Sequence, residues 1–437
     1  MNTETRIEKL QSALQRRFRL DGRGSVNRVQ KQLSLGAGYF KNQRRTGRRR
    51  VDLKVTLQAL EALQTDASEF FASVFGTADA VDRFRSEASR YRKRARQTPA
   101  ILVHEDCRCH AKSAGTDFDP EALDALRFEN PGKLVRRTKP LIGEVSDAEV
   151  PVLLGIHASA CRVLGRLQEA FVVLGRALEL AEERCGRGTL ADLVLRASYV
   201  SYSGGDLNLA LELSERATLI YAGLGDLPGI GKSLVDQGGW LGLLGRTDEE
   251  LQTFSNALRF LPADSQQPDV RKYRFICLQN LGVTYRKLER LDDARRFAAL
   301  AHECSRGISP GSFGKLVWLE GSIAKQTGRY SEAERFFREA VAALRQVAPV
   351  EAALCTLELV RVQLSRGATS DAYQTAKATT VLLQPLEETP VAAAAVTDLV
   401  RCALTGRGLD AALLSRVSRG LGRGRTQKGA RPSRPKR

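Results

Sequence analysis

The sequence predicts an all-α chain: a small helix-turn-helix domain followed by an α-solenoid of helix pairs. Three observations predict it. Apolar residues recur at helical spacing from Ile7 onward, with no sustained alternation of the kind a half-buried strand needs. Residues 25–43 read as two short helices joined by a tight turn. From residue 151 a Gly followed five residues later by Ala returns about every 40 residues, the mark of a stacked array.

The 437 residues suffice for a small domain plus a long array, and a hydrophobic content of 43% is enough to build a core. No stretch reaches the ~18 consecutive apolar residues of a membrane span. Met1 to Leu20 alternates charged and apolar residues, so a cytoplasmic location without membrane contact is expected. The eight cysteines are scattered. Cys161, Cys185, Cys277, Cys304, Cys355 and Cys402 fall in apolar helical patterns, which predicts reduced thiols packed as small hydrophobes. The net charge of +18 is concentrated at the ends: residues 1–60 carry +11, residues 416–437 carry +9, and residues 61–415 carry −2. Charge so placed points to a polyanion at the ends and another task for the middle.

Residues 1–76 read as the first domain. Ile7, Leu10, Leu14 and Phe18 form one helix face. After the break at Asp21–Gly24, Ser25 suits the N-cap of a second helix with Val26, Val29 and Leu33 inward. Ser34-Leu35-Gly36 turns into a short helix, Ala37–Gln43. The loop Arg44-Arg45-Thr46-Gly47-Arg48-Arg49-Arg50 follows, then a helix with Leu53, Leu57, Leu60 and Leu63 inward. Asp66 and Glu69 form a capping-box pair ahead of Phe70, Phe71, Val74 and Phe75.

On Leu33-Ser34-Leu35, Tyr39-Phe40, Gly47, Leu53 to Leu63 and Phe70-Phe71, the segment resembles the Cro/phage-repressor-type (XRE-like) helix-turn-helix family. It departs from that pattern at Ser34, where Gly is usual, and in a longer loop before Gly47. The resemblance implies duplex DNA as partner, with Ala37, Gly38, Lys41 and Asn42 facing base edges. Lys41 and Asn42 are the readers, Asn42 through an amide that matches adenine bidentately. Arg44, Arg45, Arg48, Arg49 and Arg50 suit phosphate oxygens. The alternative is a scaffold or adaptor whose N-terminal helical domain binds protein.

Residues 77–150 read as a helical connector. Asp79–Arg96 is a basic helix, either extending the phosphate-contacting surface or solvated. His104, Cys107, Cys109 and His110 are spaced more tightly than a zinc knuckle, with no second Cys/His pair nearby, so no metal is assigned. Pro120, Pro131, Pro140 and Pro151 divide the rest into short helices.

In residues 151–415 a small residue recurs at Ala170, Ala210, Ala294, Ala333, Ala372 and Ala412, with Glu250 as the exception. Five residues earlier stand Gly165, Gly205, Gly245, Glu289, Gly328, Gly367 and Arg407. The Gly sits where one helix turns into the next, and the Ala where two helices cross closely. These blocks resemble the tetratricopeptide repeat, best seen in Gly321…Gly328-x-Tyr330…Ala333…Phe337…Ala340. The resemblance implies an array that binds a peptide or protein, or a second copy of the chain. Joined to the first domain, it implies a DNA-binding transcriptional regulator, a combination found in bacterial regulators controlled by short peptides.

Two decoys stand in the array. Gly225-Asp226-Leu227-Pro228-Gly229-Ile230-Gly231-Lys232-Ser233 has its first Gly one residue too far back for a phosphate-binding loop. Trp240 and Trp318 read as packing residues in helix seams. None of the four histidines, His104, His110, His157 and His302, sits in a catalytic or metal motif, so neither an enzyme nor a cofactor is expected. Residues 416–437 have too little apolar content to fold and read as a basic disordered tail.

Overall fold

The computed structural model describes residues 78–94, 119–142, 144–383 and parts of 397–427, together with Ala59. Apart from Ala59, the predicted first domain and the His104–His110 segment lie outside the described residues. Among those described there are sixteen helices and no strand, as the helical periodicity requires. The chain divides into two compact units.

The first unit takes in residues 1–201 and 207–241. It holds α1 (Ala78–Arg94), α2 (Pro120–Glu129), α3 (Pro131–Leu141), α4 (Val150–Val163), α5 (Leu167–Arg184), α6 (Arg187–Ser203), α7 (Leu207–Leu224) and most of α8 (Leu227–Leu243). Proline opens α2 and α3, where the missing N–H costs nothing, and Asp119 and Asn130 cap the free amides. Helices α4 and α5 pair back to back over Leu153, Leu154, Ala170 and Leu174, all fully buried.

Helix α1 is neither a solvated connector nor wholly free for phosphate. It packs on α5 and α7, with Ala80, Val81, Phe84 and Ala88 buried. Phe84 and Tyr91 stack on Phe171 at 5.1 and 4.9 Å between ring centroids. Gly175 leaves the room for Ala88, since a Cβ there would stand 2.6 Å from the alanine methyl. Arg85 pairs with Glu182 at 2.8 Å and Arg83 pairs with Glu212. Two glutamates of the array hold these arginines, which periodicity within α1 alone could not reveal.

The second unit takes in residues 202–206 and 242–437. Its helices are α9 (Thr247–Phe260), α10 (Pro268–Lys287), α11 (Leu291–Glu303), α12 (Pro310–Gln326), α13 (Tyr330–Leu344), α14 (Pro349–Ser365), α15 (Thr369–Leu383) and α16 (Ala411–Gln427). Each helix packs on the next from α9 to α15, and α10 also meets α12, so successive pairs stack as in a tetratricopeptide-like solenoid. Phe275, Ala294, Leu316 and Leu319 fill one seam; Ala333, Phe337, Cys355 and Leu359 fill another.

The turn positions obey the expected register with one correction. Gly165, Gly205, Gly245, Gly328 and Gly367 all have positive φ between 74° and 89°, and Glu289 takes the same conformation at 60°. At four of these turns the next amide reaches back five residues, as from Arg166 to Cys161 at 2.8 Å and from Arg329 to Ala324 at 2.9 Å, closing the helix end. Ala170, Ala210, Ala294, Ala333 and Ala372 are fully buried. In the last copy Gly408 has positive φ, and Ala412 is exposed. Leu413 and Leu414 enter the core instead, so that register shifts by one.

The tail boundary moves as well. Helix α16 continues to Gln427, twelve residues into the segment expected to be disordered. Its apolar side explains this: Leu413, Leu414 and Val417 pack with Leu357, Val360 and Ala376, giving the first turns an anchor that composition averages away.

Candidate functional site

Within each unit, the first helices of the pairs bury one stripe and leave some positions of another partly open. In the first unit, Asp192, Arg196 and Tyr199 lie at i, i+4 and i+7 on α6, while Lys232 and Asp236 take corresponding places on α8. Helix α4 contributes the buried Ser159 and the half-buried Arg162. The stripes are tied across repeats. Lys232 donates to Asp192 at 2.8 Å, Tyr221 donates to the same carboxylate at 2.6 Å, and Tyr199 donates to Asp236. Arg196 bridges Asp124 of α2 at 2.8 Å and Ser159 of α4 at 3.0 Å. Arg162 lies over the Tyr199 ring, 5.6 Å from its centroid, and Trp240 meets that ring edge-on.

Desolvation works against the charge of Asp192, but Lys232 and Tyr221 outweigh it and hold its carboxyl below the ordinary value. Beside this ladder Gly239 is open: a Cβ there would meet nothing within 4 Å. The face therefore combines fixed charges, aromatic edges and free space, the requirements for gripping an extended or helical peptide.

The second unit repeats the arrangement with different chemistry. Lys315, Trp318, Ser322 and Lys325 form the partly open stripe of α12; Glu351, Leu354, Glu358 and Arg361 form that of α14. Lys325 and Arg361 both pair with Glu358, and Lys315 approaches Glu351 at 4.0 Å. Arg361 extends to Ser415 and Ser418 of α16 at 3.4 and 3.3 Å. Behind the stripe, buried Glu334 accepts from Arg338 at 2.7 Å, from Gln363 at 3.2 Å and from Arg366. Burial alone would raise its carboxyl, but these three donors hold it below its ordinary value.

The sequence-predicted readers Lys41 and Asn42, and Arg44, Arg45, Arg48, Arg49 and Arg50, lie outside the described residues. The phosphate-loop decoy is a helix. Gly229, Ile230, Gly231 and Ser233 are buried within α8, and the Ser233 hydroxyl bonds to the Gly229 carbonyl at 3.0 Å. Trp240 is buried and Trp318 partly so, both packed in seams as expected. No helix among the described residues is long and apolar enough to cross a membrane.

One grouping escapes a motif search. His157 and Cys161, at i and i+4 on α4, meet Glu169 of α5, with their ligand atoms all within 4.8 Å of one another. His157 belongs to no sequence motif, and the group forms only where α5 packs on α4. Its signal, a four-residue spacing on one helix, needs the partner helix to become legible. Cys161 is fully buried, and burial first, then the Glu169 charge, pushes its thiol up. Glu169 is held below its ordinary value chiefly by His157, against desolvation. Burial likewise raises Cys277 and Cys355, which are inert packing thiols.

Comparison with known proteins supports the repeat assignment. Residues 276–308 and 315–343 each match a tetratricopeptide repeat model. No curated protein sequence matches the chain. Among solved structures, the chain is similar to the APC/C hetero-tetramer Cut9-Hcn1, with 13% identity and a TM-score of 0.50, covering 85% of this chain and 65% of that one. BtubC (BKLC) from P. vanneervenii matches with 18% identity and a TM-score of 0.39, over 52% of this chain and 91% of that one. NprR in complex with its cognate peptide NprX matches with 14% identity and a TM-score of 0.43, over 76% and 96%. The likeness to Cut9-Hcn1 is one of fold: stacked helix pairs.

Proposed function

We infer that the protein is a non-enzymatic, DNA-binding transcriptional regulator whose helix array binds a peptide or protein partner. The observation that carries this reading is the separation of charge from repeats. A net +11 sits in residues 1–60, around a helix-turn-helix spacing, ahead of a near-neutral array containing tetratricopeptide repeats. Such repeats serve protein–protein interaction, and the array presents charged and aromatic stripes on adjacent first helices. Lys41 and Asn42 read bases, the arginines from Arg44 to Arg50 hold phosphates, and the array takes the controlling partner or a second copy of the chain.

The test is a gel-shift titration of the full chain on random duplex at several salt concentrations. Each phosphate contact adds about 0.9 to the slope of log affinity against log salt. Binding that is absent, or insensitive to salt, overturns the DNA half and leaves an adaptor whose N-terminal domain binds protein.

A further inference from the structure

His157, Cys161 and Glu169 bring an imidazole, a thiol and a carboxylate to one point between α4 and α5, the first helix pair of the array. The imidazole nitrogen aimed into this group is orphaned. His157 is fully buried, and its Nε2 has no hydrogen-bond partner; the nearest carboxylate oxygen, Oε1 of Glu169, stands 3.5 Å away. A buried nitrogen left without a partner costs free energy, so something of complementary charge belongs there.

The other ring nitrogen has a partner of its own. Nδ1 lies 2.7 Å from the Thr138 hydroxyl of α3, and that hydroxyl also lies 3.1 Å from the Leu134 and Val135 carbonyl oxygens. A threonine within a helix can give its single proton to such a carbonyl. In the tautomer where that oxygen accepts the Nδ1 proton, the Nε2 lone pair points at a carboxylate and a sulfur. A lone pair facing two further electron donors is an arrangement that a cation resolves. An imidazole whose far N–H is held by an oxygen is also how proteins orient a metal-binding histidine.

We propose that His157 Nε2, Cys161 Sγ and a Glu169 carboxylate oxygen form a three-ligand site for a zinc-class divalent cation, clipping α4 to α5. Imidazole, thiolate and carboxylate are the donor types such an ion takes, at about 2.0–2.3 Å each. Tetrahedral bonds of that length place ligand atoms about 3.3–3.7 Å apart. The His157–Glu169 separation of 3.5 Å already has this value, and the widest edge, up to 4.8 Å, closes by about 1 Å. Thiolate and carboxylate together balance a dication, so the filled site is neutral inside the helix pair. Cys161 releases its proton to solvent on binding, as any thiol ligand does. Glu169, a quarter exposed, is the side from which the ion enters and where a fourth ligand reaches it.

The experiment is a titration of the full, metal-free chain with Zn²⁺ against a chromophoric chelator, repeated with Co²⁺ to read the thiolate-to-cobalt charge-transfer band. The parent is expected to bind one equivalent more than Cys161→Ser or Glu169→Gln. The double variant Cys107→Ser/Cys109→Ser is expected to keep that equivalent, which separates it from any metal taken up elsewhere. Thr138→Val, which keeps the buried shape but leaves Nδ1 without a partner, is expected to melt below the parent without metal and to bind Zn²⁺ 10–100-fold more weakly. The proposal is overturned if the parent binds no Zn²⁺, if Glu169→Gln keeps the full complement, or if only the Cys107/Cys109 variant loses it. Should Cys161→Ser fail to fold, Glu169→Gln and Thr138→Val decide.

Discussion

Thr284 donates its hydroxyl proton to Oε1 of Glu250 at 2.6 Å, in the one repeat where a carboxylate stands at the position of the crossing alanine. Glu250 is buried, and the space it needs comes from Gly242, where a Cβ would lie 2.6 Å from the same oxygen. The exception in the Ala series is thus a matched set of three residues. Gly242→Ala should therefore push the carboxylate off Thr284 and destabilise by roughly 1–3 kcal/mol, in spite of the better helix propensity of alanine. Thermal or urea unfolding reads the difference, and a variant as stable as the parent would refute the account.

The ordinary copies predict the reverse sensitivity. Ala294 and Ala333 are fully buried in helix crossings, so Ala294→Leu or Ala333→Leu should overpack the seam at a cost of about 1–3 kcal/mol. Ala412→Leu should be nearly neutral, because the last copy has slipped by one and Ala412 is exposed. Urea midpoints of the three variants decide the register, and equal losses at all three would restore the unshifted one.

This contrast marks what the sequence makes legible. A positive φ favours glycine, and its return at residues 165, 205, 245, 328 and 367, with Glu289 filling the gap, exposes the turns. Burial demands only something apolar, so Ala412 and Leu413 cannot be told apart by period alone. Cross-repeat contacts are less legible still. Asp192 with Lys232, or His157 with Glu169, depends on which faces two helices present to each other, and neither pair has a sequence signature. The docking of α1 through Phe84 on Phe171 is hidden for the same reason.

Two glycine-related positions should be improvable. Glu289 holds a left-handed turn with φ of 60°, where a Cβ is strained, so Glu289→Gly should stabilise by about 1 kcal/mol. Gly239 lies within α8 with open space around it, so Gly239→Ala should stabilise by about 0.5–1 kcal/mol through helix propensity. Gly321→Ala is the control. Its Cβ would stand 2.8 Å from the Phe337 ring, and that variant should lose stability. Melting temperatures moving in one direction for all three would contradict this.

Glu334 should leave its mark on the acid limb of stability. Its carboxyl is held below the ordinary value of 4.5 in the folded chain, so the folded state binds its proton more weakly than the unfolded state does. The contribution is fully present above that unfolded value and is lost as pH falls through the folded one. Glu334→Gln should destabilise at neutral pH by roughly 1–3 kcal/mol, discounted because Arg338 and Arg366 are largely exposed. The variant and parent should converge in acid. A gap in unfolding free energy that stays constant from neutral pH down to pH values well below the ordinary carboxylate range would show that Glu334 acts through packing alone.

The N-terminal residues carry the sharpest prediction for the proposed regulator. Asn42 is the one presumed base-facing side chain whose donor and acceptor match a base edge, whereas Arg48, Arg49 and Arg50 follow the recognition segment and suit phosphates. Asn42→Ala in the full chain should cost about 1–3 kcal/mol on the preferred duplex and little on random DNA, because a lost bidentate pair removes discrimination. Neutralising one arginine should instead weaken both duplexes about equally and lower the salt slope by about 0.9. The preferred duplex is obtained by enrichment from a random library with the full chain. Failure of that enrichment to converge, or equal weakening of all sequences by Asn42→Ala, would leave a protein that holds DNA through its phosphates alone.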